Sequence, residues 1–329
     1  MKTERPTRVI LDTDSGVDDA LALLLALHSP ELEVVGVTTV CGNVPVEQAT
    51  RNLFRVLKLV GTPQNLLIGQ GASRPLSEPL QTATHVHGAD GLGELDRLRN
   101  EDGSLTYPNV EVPPKLPPAQ EVWAQCHRRY PEDLTLITLG PLTNLARALG
   151  SNPDTMRKFR NVISMGGAVA VPGNVTAAAE FNIFVDPHAA QQVFASGLPM
   201  TLVPLDVTTQ VVLNRETILA LAAQHANPAF RFLRDATDHA LNFAEKVEGQ
   251  AIFPLHDPLA VGVAIDPTLV DLTPLHVQVE TEGRLTKGMT LADRRTIGES
   301  LKPSPNLKAA LSVDAPRFLT LFQDRLCRR

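Results

Sequence analysis

Hydrophobic residues follow two different spacings along this chain, and the two alternate in a regular way. Short apolar runs rich in β-branched residues, typical of buried strands, precede longer stretches with a helical repeat. RVIL (8–11) is followed by the helical pattern DDALALLLALHS (18–29), and LEVVGVTTV (32–40) by VEQATRNLFRVLKLVG (46–61). Three further strands are predicted at 134–140, 161–167 and 200–208. Strands that alternate with helices predict crossover connections, and therefore a mostly parallel α/β sheet.

Residues 71–118 interrupt this alternation. The segment is rich in glycine, proline and other turn formers and has no clear period, which is typical of a functional or mobile loop. The sequence shows no internal repeat and no low-complexity linker, so we expect a single domain over residues 1–329. The tail beyond about residue 270, with a final helix near 314–326, is expected to pack against the sheet.

The composition limits the kinds of partner that this chain would bind. Of its 329 residues 43% are hydrophobic, which is enough for a substantial core, and the formal charge is −6. That charge argues against nucleic acid or an anionic membrane as the main partner. The longest apolar run, at 20–27, is too short to cross a bilayer. Three separated cysteines form no CxxC pair and the polar start MKTERPTR has no signal-peptide core, so we expect a cytoplasmic protein.

The motif DTDSGVDD places four aspartates within eight positions: Asp12, Asp14, Asp18 and Asp19. Carboxylates about 5 Å apart repel one another by roughly 1 kcal/mol in water and by more where water is excluded, so a cation is expected among them. Three interpretations are open. The acids cap the following helix and favour its positive end, they form a magnesium phosphohydrolase site with Asp14 as nucleophile, or they bind Ca²⁺ through oxygen ligands. The first explains one or two acids, and the second lacks a convincing loop to hold phosphate.

A calcium site needs further oxygen ligands from other parts of the chain. Asp257 stands at the start of a predicted helix, and its neighbour His256 is a group that passes protons near neutral pH. Asp14, Asn43 and Leu139 each follow a predicted strand. Because ligands of open parallel sheets bind outside the carboxyl ends of the strands, these groups are expected to converge there.

Seven motifs in a fixed order carry a resemblance to a known family: VILDTDSGVDD, VTTVCGN, THVHG, TLGPLTNLA, MGG, GNVTAAAEFNIFVDP and HDP. In this order they resemble the calcium-dependent nucleoside hydrolases, the inosine-uridine preferring ribohydrolases, from Val9 to the terminal helix. The resemblance implies an open, mostly parallel Rossmann-like sheet flanked by helices, one Ca²⁺ ion, and hydrolysis of ribonucleosides to free base and ribose. It also implies a homo-oligomer, either a tetramer or a dimer. A non-catalytic nucleoside-binding protein with the same calcium site stays open as an alternative.

The resemblance also implies roles for individual residues. Asp14 would act as general base on a calcium-bound water, and His256 would face the leaving base as its proton donor. The metal ligands would be Asp14, Asp19, Asp257 and the main-chain carbonyl of Leu139. The substrate would be held by Asp18, Asn43, Met165, Asn174, Glu180, Asn182 and His85. Apart from the resemblance, THVHGADGLG is either an ordinary surface loop or, as our hypothesis has it, a loop that folds over the bound nucleoside with His85 and His87. Asp12 would support the ligands without binding the ion.

These residue types suit the chemistry. Cleavage of an N-ribosidic bond builds positive charge on the ribose, which carboxylates stabilise, while the base leaves with excess electrons and needs a proton. Hydrogen bonds to the ribose hydroxyls that strengthen as the ring flattens would contribute to rate as well as to binding.

The chain departs from the family pattern at two places. Ser15 stands where the family has proline, and we expect this serine to replace it by capping the following helix. The segment LNFAEKVEGQAIFPLHD (241–257) lacks the tyrosines that some members use to relay protons to the base, although Phe243 and Phe253 could stack on one. The preference for purine or pyrimidine bases is therefore open, and so is the identity of the proton donor.

Overall fold

A computed structural model describes residues 5–295 and 303–328 of the chain; the first half of MKTERPTR and part of the tail beyond 270 lie outside the described residues. Within these ranges the strands are β1 (Thr7–Thr13), β2 (Leu32–Thr39), β3 (Leu67–Gln70), β4 (Thr135–Thr138), β5 (Asn161–Met165), β6 (Met200–Val203), β7 (Val212–Asn214), β8 (Ile252–Pro254), β9 (Val270–Leu275), β10 (Val277–Val279), β11 (Thr290–Ala292) and β12 (Leu307–Val313).

The α-helices of the same ranges are α1 (Val17–Leu27), α2 (Val46–Val60), α3 (Thr84–His87), α4 (Ala119–Arg129), α5 (Thr143–Ser151), α6 (Pro153–Met156), α7 (Phe181–Val185), α8 (Pro187–Phe194), α9 (Leu205–Thr208), α10 (Arg215–Gln224), α11 (Pro228–Glu248), α12 (His256–Ile265) and α13 (Ala315–Leu326). Single turns of 3₁₀-helix span Leu95–Arg97 and Pro267–Leu269. No helix in the described part of the chain is both long enough and apolar enough to span a membrane.

One sheet organises the fold, with strand order β3-β2-β1-β4-β5-β6-β12-β9. Its neighbouring strands pair in parallel except at one edge, where β9 runs antiparallel to β12. The order of the first six strands is that of a doubly wound Rossmann fold, whose ligands bind where the strand order reverses. Here that point lies between β1 and β4. The predicted mostly parallel α/β sheet is confirmed.

The central strand β1 shows why the sheet is buried on both faces. Val9 and Leu11 pack into one hydrophobic core together with residues of α1, α11 and α12, whereas Ile10 packs into a second core with residues of α4, α5 and α8. Alternate residues of the strand therefore face different helical layers. A strand covered on both faces is apolar at successive positions, which is the pattern of RVIL.

The structure differs from the sequence-based prediction in the end of one strand and in the presence of another. The strand expected over 200–208 ends at Val203, and Leu205–Thr208 forms a turn of helix instead. Pro204 separates the two, because proline has no N–H to continue the ladder of hydrogen bonds. The sequence pattern does not predict the edge strand β3, since four half-buried residues carry little periodic signal. The final helix α13 confirms the one predicted near 314–326.

The turn that joins β1 to α1 also differs from the prediction. Gly16, not Ser15, holds the N-cap position of α1, and Ser15 adopts a left-handed backbone with φ of 44°. The prediction that Ser15 caps this helix is therefore wrong. The capping acceptor is Asp19, whose carboxylate accepts a hydrogen bond from the Gly16 N–H at 2.9 Å.

Candidate active site

A cavity of about 360 Å³ opens at the carboxyl edge of the sheet. Leu139 directly follows β4, Met165 ends β5, and Asn43 lies in the loop after β2. The remaining walls come from Asp18 at the start of α1, from the segments at 83–87 and 174–182, and from α11, β8 and α12. The predicted site residues among its lining are Asp18, Asn43, His85, Leu139, Met165, Asn174, Glu180, Asn182, His256 and Asp257. The sequence-based prediction therefore placed residues from distant parts of the chain in one pocket.

Asp14 lies behind this lining and is fully buried. Its Oδ2 accepts a hydrogen bond from the Asn43 N–H at 2.6 Å, whereas its Oδ1 has no partner among the described residues. Gly42 and Gly140 pack against the carboxylate so closely that a Cβ atom at either position would collide with it. Two strand-end loops thus fix the position of the Asp14 side chain.

Asp19 is held by a dense set of donors. Its Oδ1 accepts from the Thr13 hydroxyl at 2.5 Å, and its Oδ2 accepts from the Gly16 N–H at 2.9 Å and from Asn43 Nδ2 at 3.0 Å. Asn43 therefore bridges the two buried carboxylates, Asp14 and Asp19. We infer that Asn43 positions these two carboxylates, because its backbone N–H donates to Asp14 and its side chain donates to Asp19.

Carboxylate oxygens of Asp18, Asp19 and Asp257 lie within 4.8 Å of one another, and all three residues are buried. Burial, followed by the charge of Asp19, raises the pKa of Asp18 to about 8. Burial and the neighbouring carboxylates also raise the pKa values of Asp14 and Asp257 well above their usual range. No lysine or arginine forms an ion pair with this cluster in the ranges that the structure describes.

These carboxylates suit a bound cation. Buried polar atoms nearly always have hydrogen-bond partners, yet Asp14 Oδ1 and Asp18 Oδ1 have none in the described chain. A metal ion would supply both the missing partner and the missing positive charge, and hard oxygen donors select cations such as Ca²⁺, Mg²⁺ or Mn²⁺. The cluster can therefore hold a divalent metal ion.

Asp12 belongs to the same motif but has different partners. Its Oδ1 accepts hydrogen bonds from the Thr38 hydroxyl at 2.6 Å and from Asn144 Nδ2 at 2.8 Å. It is not part of the group of three carboxylates. These contacts connect β1 to β2 and to α5, in line with a supporting role.

Glu180 and Asn182 form the wall of the pocket near β4 and β5. The Glu180 carboxylate accepts from the backbone N–H groups of Gly167 and Asn182, both at 2.9 Å, and so caps α7. Asn182 Nδ2 donates to the Leu139 carbonyl at 2.6 Å. This carbonyl, a predicted metal ligand, therefore faces the same space as the predicted ribose contacts.

Asn174 and His85 stand at the mouth of the pocket, and both are exposed. Asn174 Oδ1 accepts from the Phe181 N–H at 3.0 Å, which ties its loop to α7. The ring of His85 meets the ring of Phe243 edge-on, with centroids 5.4 Å apart.

His256 lies next to Asp257 at the start of α12. Its Nδ1 is 2.7 Å from the Thr208 hydroxyl, and a neutral ring that accepts there carries its proton on Nε2. Burial lowers the pKa of His256 to about 4, with a smaller contribution from His87. In this form the side chain is a neutral hydrogen-bond donor.

His87 is a site residue that the sequence did not distinguish from its neighbour His85. It is buried, it lines the pocket, and its Nδ1 accepts from the Val17 N–H at 3.1 Å. Burial lowers its pKa to about 4. The contact joins the loop at 83–87 to the first turn of α1, 70 residues away in sequence. The motif THVHG alone does not indicate that His87 pairs with Val17.

One end of the pocket is apolar. Its lining residues there are Ala240, Phe243, Ala244, Val247, Ile252 and Phe253. They come from α11 and β8, the segment in which the sequence suggested aromatic contacts with a base. Neither of the two tyrosines of the chain lines this cavity.

The family comparison decides the identity of this arrangement. A model of the inosine-uridine preferring nucleoside hydrolases matches residues 9–320. The chain belongs to this family. As a nucleoside hydrolase it is a ribonucleoside-cleaving enzyme, so the family and the activity implied by the sequence motifs are confirmed.

Relatives of this nucleoside hydrolase cover almost its whole length. The pyrimidine-specific ribonucleoside hydrolase RihA of Citrobacter koseri is 36% identical over 97% of both chains. A plant nucleoside hydrolase structure is 33% identical with a TM-score of 0.87, covering 98% of this chain and 99% of that one. The purine-preferring ribonucleoside hydrolase from Gardnerella vaginalis is 35% identical with a TM-score of 0.86, covering 97% of this chain and 98% of that one. These neighbours share the fold.

Proposed function

We propose that this enzyme hydrolyses the N-ribosidic bond of ribonucleosides with Ca²⁺ as its metal and Asp14 as its general base. The observation that carries the proposal is the buried group of Asp18, Asp19 and Asp257, which forms no ion pair with lysine or arginine in the described chain. Asp14 is not one of these three, but its Oδ1, like Asp18 Oδ1, has no hydrogen-bond partner there. Ca²⁺ takes six to eight oxygen ligands, including carbonyls, and tolerates irregular geometry. Asp14, Asp19, Asp257 and the Leu139 carbonyl would hold it.

Asp14 suits the role of base because its position is fixed and one oxygen is free. Asn43 and two closely packed glycines hold the carboxylate, while Oδ1 has no partner among the described residues. A bound Ca²⁺ would polarise the attacking water and lower its pKa. Asp14 Oδ1 would then take the proton of that water, a role that typically contributes 10²–10⁴-fold to the rate.

The ribose would lie over the carboxylates, where positive charge develops in the transition state. Asp18 and Glu180 are buried acids at this position, and Asn182, Asn174 and Asn43 offer amide groups to the hydroxyls. Met165 would pack against the sugar. Preorganised donors and carboxylates of this kind act most strongly on the transition state, since they need not rearrange during the reaction.

The base would lie at the apolar end of the pocket, beyond the sugar. His256 would donate from Nε2 to the departing base, a role supported by the contact of its Nδ1 with the Thr208 hydroxyl, which would hold the ring. His87 faces the same cavity from the loop at 83–87, and His85 would close over the ligand at the mouth. The Citrobacter koseri enzyme is named pyrimidine-specific and the Gardnerella vaginalis enzyme purine-preferring at nearly the same identity, so a substrate panel has to decide this preference.

The test is release of ribose from inosine, guanosine, adenosine, uridine and cytidine by chelated protein, with and without added Ca²⁺, Mg²⁺ or Zn²⁺. We expect activity to vanish on chelation and to return best with Ca²⁺. Asp14→Asn should lower turnover by at least about 10²-fold with the fold intact. Asp133→Asn, an exposed acid that pairs with Arg8, is the matched control. Full activity of chelated protein, or of Asp14→Asn, would refute the assignment.

Two further properties belong to the proposal. We infer a cytoplasmic enzyme, because the three cysteines are widely separated and form no CxxC pair. We also infer a homo-oligomer, a tetramer or dimer, as the family resemblance implies. Sedimentation of the purified enzyme tests the second point.

A further inference from the structure

A second cleft, larger than the catalytic pocket, lies between α2, the segment at 106–108 and the turn that joins α10 to α11. Its volume is about 750 Å³, and it shares no lining residue with the catalytic pocket. Small-molecule sites typically have volumes in this range. The proposed hydrolysis of nucleosides leaves this cleft without a role.

The cleft is rich in positive charge, although the chain as a whole carries a net charge of −6. Its cationic lining residues are Arg55, Lys58, Arg231 and Arg234. Two carboxylates contact them: Asp96 pairs with Arg55 at 2.6 Å, and Asp235 pairs with Arg234 at 2.6 Å and with Arg231 at 3.8 Å. Four cations and two carboxylates leave an excess of two positive charges.

Two of the cations have unused capacity for an anion. Lys58 is exposed and makes no ion pair with any residue in the described ranges. The Arg55 side chain is only 10% exposed; its Nη2 donates to Asp96 and Asn109, whereas Nη1 has no partner there. Burying a donor without a hydrogen-bond partner costs free energy. A ligand oxygen that accepts from Nη1, after a small rotation of the guanidinium, would recover that cost.

Thr106 and Asn227 are polar, but most of the remaining lining is apolar or aromatic. Leu59, Pro108 and Pro228 contribute apolar surface, and Tyr107 closes the floor with its hydroxyl donating to Asp235 at 2.9 Å. His225 adds a ring that stacks on Phe230, with centroids 4.6 Å apart. A ligand that fills this cleft therefore needs an apolar or aromatic body as well as negative charge.

We propose that the cleft binds a small phosphomonoester that carries a ring, a ligand of the size of a nucleoside monophosphate. A phosphomonoester carries a charge of about −1.5 to −2 at pH 7, which matches the excess of two positive charges. Arginine side chains bind phosphate oxygens in a bidentate way, and Lys58 adds a flexible point charge. A carboxylate would neutralise half of this excess, and inorganic phosphate would leave the apolar surface unfilled.

Titration calorimetry of the full-length protein with phenyl phosphate tests the proposal, because this probe has the ring and the phosphate but no ribose for the catalytic pocket. Phenol, benzoate and inorganic phosphate separate the contributions of ring and charge. We expect phenyl phosphate to bind at least tenfold more tightly than each of the three, and more weakly as salt is raised. Equal affinity for benzoate and phenyl phosphate would overturn the phosphomonoester assignment.

The variant Lys58→Gln/Arg231→Gln removes two of the three exposed positive charges of the cleft and should weaken phenyl phosphate binding at least tenfold, while kcat/KM for nucleosides stays unchanged. Lys58→Arg should retain binding. The control Arg51→Gln/Arg157→Gln removes two exposed arginines outside the cleft, so it changes the net charge equally. An equal loss in this control, or unaltered binding by the cleft variant, would show that the cleft is not the binding site.

Discussion

Without metal, the Asp257→Asn variant should be more stable than the wild type. With calcium present, the same variant should be less stable than the wild type. The substitution removes one negative charge from a group whose oxygens lie within 4.8 Å of one another. Two unit charges at that distance repel by about 3–4 kcal/mol at an effective dielectric constant of about 20. Protons relieve much of this repulsion at pH 7, because burial and neighbouring charges raise the pKa values of Asp18 and Asp257.

We therefore expect the metal-free Asp257→Asn variant to gain about 1–2 kcal/mol, or roughly 2–4 °C in Tm for a chain of this size. Calcium should make the wild type the more stable of the two proteins. At about 100 times its Kd a ligand adds about 2.7 kcal/mol to the wild type, and a variant that lacks one ligand loses most of that gain. Thermal unfolding in excess chelator and in millimolar Ca²⁺ measures both effects.

Asp206→Asn is the matched control, because it makes the same chemical change at a buried acid outside the cluster. Asp206 accepts the N–H groups of Val169 at 2.8 Å and of Ala170 at 2.7 Å, so its loss should lower Tm equally in both buffers. If Asp257→Asn lowers Tm in chelator, or if calcium leaves the wild-type Tm unchanged, the carboxylates are not a metal site held under mutual repulsion.

Three further predictions concern single residues. His256→Ala should reduce kcat/KM by about 10²-fold or more for natural nucleosides but by less than about tenfold for nitrophenyl riboside, whose leaving group needs no proton; equal losses would count against donation to the base. Ser15→Pro should lower Tm, since a proline cannot adopt a φ of 44° and the N–H that donates to Thr13 Oγ1 would be lost. His127 has two unpartnered ring nitrogens in the described chain and a pKa that burial lowers to about 4 from 6.5. The unfolded state then binds more protons, so stability falls as the pH drops from about 6.5 towards 4, and His127→Leu should make that fall less steep in pH-dependent denaturation.

The sequence was sufficient for five of the eight strands of the sheet, for the strand ends at the site and for the acids that gather there, but it did not indicate β3, β9 or β12. Buried parallel strands are apolar at successive positions, so RVIL and LTLIT could be recognised without knowing their neighbours. Because the carboxyl ends of these strands share one edge, the order of the elements along the chain is enough to place Asp14, Asn43 and Leu139 together. Family motifs then join Asp257, more than 200 positions further on, to the same group.

What escaped prediction depends on contacts between distant segments or on backbone conformation. The role of His87 depends on a hydrogen bond from Val17 N–H, 70 positions away, which no local pattern encodes. No local sequence pattern indicated the left-handed φ of Ser15 or the helical turn after Pro204. The cleft around Lys58 could not be anticipated either, because its cations come from two helices and look scattered along the chain.

The order in which the polypeptide is synthesised has a consequence for when this enzyme can become active. β12 enters the sheet between β6 and β9, so the ribosome releases most of the chain before the strand that joins these two has emerged. Asp257 likewise emerges only after about three quarters of the residues have been translated. A polypeptide that stops before Asp257 would therefore carry the acids at the end of β1 but lack one of the three carboxylates that lie within 4.8 Å of one another.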